Sequence, residues 1–230
     1  MEEFLDRTKS LIGEDALSKL CSANVAVFGI GGVGSYAVEA LARCGIGRLT
    51  IIDKDVIDVS NINRQIIADT TTVGLDKVDV CKERILKINP DCKVNALKMF
   101  YLPENANEID LSQYDYIVDA IDTVTAKLAL IENATKSGVK IISSMGTGGR
   151  LDPTQFEITD IYKTSGDGLS KVMRRELRKR KVEKLDCLYS RETAVINVDD
   201  ERVISSISFV PSVAGLIIAG KVIRSIAGLE

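Results

Sequence analysis

Histidine is absent from all 230 residues. That removes imidazole acid–base catalysis, histidine triads and histidine metal ligands together. Any chemistry must fall to carboxylates, lysine, arginine, cysteine or a metal held by oxygen. The cysteines, Cys21, Cys44, Cys81, Cys92 and Cys187, form no CxxC pair and are odd in number. Such spacing excludes a cysteine-rich zinc site and argues against a disulfide framework, so a reducing, cytoplasmic setting is expected. There is no excess of positive charge either. The formal net charge is −3, which argues against a wholly basic nucleic-acid-binding protein but leaves room for a local basic patch. The N-terminus opens on acidic residues and lacks the apolar stretch of a signal peptide. The longest apolar run, 213–220, is too short to span a bilayer and is expected to be a buried helix, so no membrane partner is foreseen.

What is present alternates between strand and helix signals. A short amphipathic helix is expected over 10–22. Residues 25–28 form an apolar run without polar alternation, as in a parallel sheet buried on both faces. Helices are expected over about 33–43, 74–88 and 125–137, and further strands over 49–52, 94–100, 116–120 and 140–144. This succession predicts an α/β fold built on a doubly wound, Rossmann-like, mostly parallel sheet. After residue 150 the pattern changes. Strands of antiparallel character are expected over 155–160 and 202–209, with a basic segment, 171–184, between them and a helix from Pro211 to about 226. The whole reads as a single domain, 1–230. Residues 1–150 form a nucleotide-binding core, and 151–230 form an antiparallel extension with the basic segment and a C-terminal helix.

Gly29, Gly31, Gly32 and Gly34 follow the first predicted strand and open a helix. Glycines there let the backbone approach phosphates at a positive helix N-terminus. Asp53 ends the next strand, where a carboxylate would hydrogen-bond a ribose hydroxyl. This fingerprint alone does not separate a nicotinamide dinucleotide from ATP, and a turn used only for packing is the plainer alternative. The stretch after it separates them better. Asp53-Lys54-Asp55 leads to Asn61-Ile-Asn63-Arg64-Gln65, a cluster that a dehydrogenase does not need after its second strand. Arginine offers a fork of donors to phosphate oxygens, asparagine adds neutral ones, and Lys77 on the next helix adds a point charge. Taken singly, Arg64 and Lys77 read as solvated surface cations. Asp119 and Asp122 close the fourth strand at the sheet's carboxyl edge. Asp122 suits a hard ion such as Mg²⁺, or, with Thr123, a helix cap.

Together these motifs resemble the adenylation core of the E1-like (ThiF/MoeB/ubiquitin-activating) superfamily. Within it, they resemble the tRNA threonylcarbamoyladenosine dehydratase branch. The branch likeness is carried by Arg7-Thr8, Leu11-Ile-Gly13, Ile88-Asn-Pro90, Asp152-Pro-Thr154 and Ser208-Phe-Val-Pro-Ser-Val-Ala-Gly215. The resemblance implies MgATP as cosubstrate, with Gly32 facing the phosphates, Asp53 the ribose, and Asn61, Arg64 and Lys77 the triphosphate. It implies Mg²⁺ on Asp122, and a homodimer in which Arg7 reaches the neighbouring protomer's ATP. It implies a tRNA substrate, whose anticodon stem-loop the basic segment would track by its phosphates; the plainer reading of that segment is a solvated loop. Cys187 lies where some relatives carry an acyl-accepting cysteine, though an inert small residue is the plainer reading. Many relatives of the branch carry histidine where this chain has Ile67. Two other readings stay open: adenylation of a ubiquitin-like sulfur-carrier protein, with a sulfur-transfer protein as partner, and a nicotinamide-dependent oxidoreductase or regulator.

Overall fold

In a computed structural model, residues 3–195 and 205–230 are described. The chain opens with two helices, α1 (Asp6–Ile12) and α2 (Glu14–Ser22). Sequence periodicity suggests one helix over 10–22. Gly13, at φ +84, breaks it, because that backbone state interrupts the helical hydrogen-bond ladder. β1 (Asn24–Phe28), α3 (Gly34–Arg43) and β2 (Arg48–Ile52) follow. Then come α4 (Lys77–Ile88), β3 (Lys93–Leu97), β4 (Tyr116–Asp119), α5 (Val124–Ser137) and β5 (Lys140–Ser144). The last part carries β6 (Phe156–Asp160), α6 (Gly168–Lys179), β7 (Asp186–Ser190) and α7 (Phe209–Ala227).

The strands form one sheet in the order β3-β2-β1-β4-β5-β7-β6. Among the described strands, β6 alone runs antiparallel, against β7, while β7 pairs in parallel with β5. The antiparallel expectation holds for 156–160, whose partner among the described residues is 186–190. Residues 205–207 have no regular structure, and 202–204 lie outside the described residues. The basic segment is ordered too: most of it forms α6, which buries Ser170, Met173 and Leu177.

Side chains of β1 alternate between two apolar layers. Val25 and Val27 join α3, α4 and α7 on one face, and Ala26 and Phe28 join α5 on the other. A third cluster unites α5, α6 and β7. α7 is longer than the apolar run suggested. At 19 residues and a mean hydropathy of 1.6 it is long and apolar enough to cross a membrane, yet it packs into the core. A Cβ on its Gly215 would collide with the Val33 carbonyl, so the backbones of α7 and α3 touch.

Candidate nucleotide site at the carboxyl edge

The order 3-2-1-4-5 reverses direction between β1 and β4, and the crevice outside their carboxyl ends is where such sheets bind ligands. A cavity of about 740 Å³ opens there, within the size range of small-molecule sites. Its floor is Gly29–Gly32 after β1, and its sides are Asp53-Lys54-Asp55 after β2 and Ala120–Thr123 after β4. A second wall comprises Ser144–Gly148 after β5, Leu169 of α6, Ser206 and Pro211.

The floor is shaped by close packing. Gly29 sits at φ +88, where a Cβ would strike the Ala120 carbonyl. Gly34 lies beneath it and does not reach the cavity; its hydrogen abuts the Gly29 carbonyl. The resemblance gives the phosphates to Gly32. A Cβ on Gly32 would meet Pro211 and Arg64, whereas one on Gly31 would meet nothing, so Gly31 leaves the open space.

Asp53 braces the floor. Its Oδ2 accepts from Ile30 N–H at 2.6 Å and its Oδ1 from Asp55 N–H at 2.8 Å. Asp55 in turn holds Lys77, accepting from its N–H through the carbonyl and standing 3.2 Å from Nζ through the carboxylate. Lys77 is 6% exposed, which removes the solvated-surface reading for this residue. Among the described residues its charge is met by one half-exposed carboxylate, at the cavity and at the first turn of α4. A buried ammonium with so little compensation favours an anionic ligand.

Arg64 lines the same wall, where Nη1 donates to Ser60 O and Asn63 Oδ1, both at 2.8 Å. Asn63 itself does not line the cavity. It braces the arginine and donates to Ser206 O at 3.1 Å. Asn61 Oδ1 is taken up by Asp58 N–H. Gln65 is buried at the cavity, and its Oε1 has no partner among the described residues.

Asp122 is exposed at the cavity and accepts only a 3.2 Å bond from Thr123 Oγ1 among the described residues. The N-cap position of α5 belongs to Thr123, and no side-chain cap bond forms. The cap alternative for Asp122 therefore has no support in the geometry, and its carboxylate is left for a ligand. The turn that carries it is fixed from below by a pair the sequence reading passed over. Lys127 and Asp119 are both fully buried, 2.9 Å apart. Lys127 also donates to Ile121 O, and Asp119 accepts from Ser143 Oγ and Ile121 N–H. A lysine among Leu130, Ile131 and Ala134 on the apolar face of α5 was the available signal.

An apolar recess of Phe28, Ile52, Met99, Phe100 and Tyr101 was missed as well. Lys54 lies over the Phe100 ring, 4.1 Å from its centroid. The aromatic pair directly after a strand at the carboxyl edge could have marked it.

Two expected residues stand elsewhere. Arg7 is exposed on α1 and does not line this chain's cavity. Cys187 lies within β7, between Ser143 and Thr159 on the neighbouring strands, fully buried in the apolar cluster beneath α6. Burial pushes its thiol up to about 12. A closed-off neutral thiol is unsuited to accept an acyl group, which speaks against the catalytic expectation and for the inert one. Desolvation leads, the carboxylates of Asp160, Asp186 and Asp167 add to it, and Lys127 offsets only part.

α6 is amphipathic. Lys171, Arg175 and Arg178 are exposed at i, i+4 and i+7, opposite Met173 and Leu177. Arg174 is half-buried and donates to Thr164. Glu176 gathers Lys179, Arg175 and Arg180, which hold its carboxyl down to about 2.

The sequence profile of the ThiF family matches residues 5–230. The tRNA threonylcarbamoyladenosine dehydratase of Bacillus subtilis is 43% identical over 236 residues, spanning 96% of this chain and 93% of that protein. Its Escherichia coli namesake is 43% identical over 201 residues, spanning 84% and 75%. The crystal structure of E. coli TcdA with AMP superposes at a TM-score of 0.93 and 36% identity, covering 99% of this chain and 95% of that one. The complex of the same enzyme with ATP gives a TM-score of 0.90 with the same identity and coverage.

Proposed function

Because this chain belongs to the ThiF family, we propose that it is an ATP-dependent tRNA threonylcarbamoyladenosine dehydratase. The observation that carries the adenylation half is the cavity itself. Arg64, Lys77 paired with Asp55, and an exposed, weakly bonded Asp122 surround one space at the carboxyl edge. The 43% identity to the B. subtilis dehydratase across nearly the whole chain supports the choice of carboxylate.

In this reading ATP lies along the floor, its base in the recess of Met99, Phe100 and Tyr101 and its ribose toward Asp53. Backbone N–H groups near Gly31, with Arg64 and Lys77, take the phosphates. The carboxylate of threonylcarbamoyladenosine at tRNA position 37 attacks the α-phosphorus. The bond to the bridging oxygen breaks and pyrophosphate departs. The acyl-adenylate then closes intramolecularly and expels AMP, so that the base loses one water overall. Arg64 and Lys77 offset the charge that builds on the leaving phosphates, and the fixed walls keep nucleophile and phosphorus aligned. The donor set suits Mg²⁺: a carboxylate, Asp122, beside phosphate oxygens. When bound, the ion would supply further charge neutralisation on the phosphates. Arg7, exposed and away from its own cavity, is assigned to the cavity of a second copy in a homodimer. A tRNA substrate supports a cytoplasmic setting. No sulfur-transfer partner is required, and Cys187 has no catalytic part.

Incubation with ATP, Mg²⁺ and bulk tRNA is expected to yield AMP and a threonylcarbamoyladenosine nucleoside lighter by one water in mass spectrometry. An unchanged nucleoside, with AMP released only when a carrier protein is added, would favour the sulfur-carrier reading. Cys187→Ala is expected to keep turnover within about twofold of the parent, since the buried thiol does no chemistry. Arrest after AMP release would reinstate a thioester. The stripe on α6 is the proposed RNA surface. Alanine at Lys171, Arg175 and Arg178 together is expected to weaken tRNA binding and lower its salt slope by roughly two to three. Unchanged binding would return these residues to solvent.

A further inference from the structure

The loop after β5 and the start of α6 meet at a buried ion pair. Arg150, 4% exposed, follows the glycine-rich loop whose residues 146–148 line the second wall of the cavity. Its Nη2 lies 3.1 Å from Oδ2 of Asp167, which is equally buried. The other oxygen of Asp167 accepts from the N–H and hydroxyl of Ser170, each at 2.6 Å, as the N-cap of α6. Oδ2 also faces Gly146 so closely that a Cβ there would come within 3.2 Å. One carboxylate thus joins the cavity wall, the guanidinium and the start of the basic helix. Two residues further on, Leu169 lines the cavity, and from there Lys171, Arg175 and Arg178 lead away along α6. Buried ion pairs are weak stabilisers, since apolar residues of similar volume often serve as well. What a guanidinium and a carboxylate supply is direction, because they bond along defined axes. Nε and Nη1 of Arg150 have no partner among the described residues, so Asp167 is its visible anchor.

We propose that Arg150 and Asp167 form a positioning pair that sets the register between the cation stripe of α6 and the cavity wall. An RNA gripped along α6 then presents its modified base to the reacting atoms. This rests on the dehydratase reading and on α6 as the RNA surface. Neither residue lines the cavity; both act through the elements they join.

The test compares the parent with Asp167→Asn, Arg150→Met and Arg150→Lys. Asparagine keeps the helix cap while removing the charge. Binding of threonylcarbamoyladenosine-bearing tRNA, its salt slope, and binding of ATP are expected to stay near parent values, because every contacting group remains. Turnover at saturating tRNA is expected to fall by about 10- to 100-fold in Asp167→Asn and Arg150→Met, as small displacements of reacting groups do. Arg150→Lys, which keeps the charge pair but not the fork, is expected to fall between them and the parent. It also serves as the informative variant should Arg150→Met not fold. Unchanged turnover overturns the proposal, as does a turnover loss matched by equal losses in ATP or tRNA binding. A parent protein that converts no modified tRNA overturns the dehydratase reading instead, so the two failures are distinct.

Discussion

Asp122→Ala is expected to slow AMP and pyrophosphate formation by roughly 10²- to 10³-fold, the scale seen when one charge-stabilising group is removed from an active site. Its melting temperature is expected to match the parent's. The reason lies in what Asp122 does not do: it bonds weakly to Thr123 Oγ1, and no side-chain bond caps α5. Removing it therefore breaks no structural bond of note. Had it been a cap, alanine would cost about 1 kcal/mol of stability. Arg64→Ala is expected to match it in rate, but it also releases Ser60 O and Asn63 Oδ1. Asp122 is accordingly the cleaner probe. Pyrophosphate release with modified tRNA, alongside thermal melts, decides the matter. Full activity in both variants would sink the adenylation mechanism, and a slow Asp122→Ala with a lowered melting temperature would point back to a structural role.

The largest stability effect is expected at Lys127. Alanine there leaves the Asp119 carboxylate in a dry interior with, among the described residues, only Ser143 Oγ and Ile121 N–H as partners. Breaking a buried pair in this way costs about 3–5 kcal/mol, a large share of a domain's net stability. Urea denaturation should show it as a lower midpoint with an unchanged slope. The pair also fixes the turn from which Asp122 projects, through the 2.9 Å bond from Lys127 to Ile121 O. Asp119→Leu combined with Lys127→Met is therefore expected to recover much of the stability without recovering activity. A midpoint unmoved by Lys127→Ala would show that water or another group compensates the carboxylate.

These two residues also show where sequence reading reached and where it stopped. The crevice is legible because apolar runs announce the strands and the fold sets their ends side by side: Gly29 and Asp53 come directly after β1 and β2, Asp122 just after β4, and Arg64 and Lys77, further along the chain after β2, line the same space. Partnerships across elements are not legible in that way. Nothing in the run from 116 to 130 says that Lys127 turns inward toward Asp119, except that a lysine sits where the apolar face of α5 should continue. Asn63 looked like a phosphate donor by its place beside Arg64, yet its amide ties down Ser206, 143 positions later. The strand Asp186–Ser190 was hidden because a short run behind a dense basic segment carries little periodicity, and its partner β6 fixes it only in three dimensions. Cys187 misled for the same reason: proximity in sequence to cations said nothing of the apolar cluster that encloses it.

The contact between α7 and α3 bears on how the protein is made. α3 begins at Gly34 and the helix that covers it at Phe209, so nearly the whole nucleotide core is synthesised before its outer layer exists. Until residue 227 has emerged, the part of α3 that faces α7 stays uncovered. Such late, non-local closure slows folding and leaves aggregation-prone intermediates. This late helix is also the one whose length and hydropathy suit a lipid bilayer. During synthesis, then, this chain depends on α7 finding α3 before it finds a chaperone or a membrane.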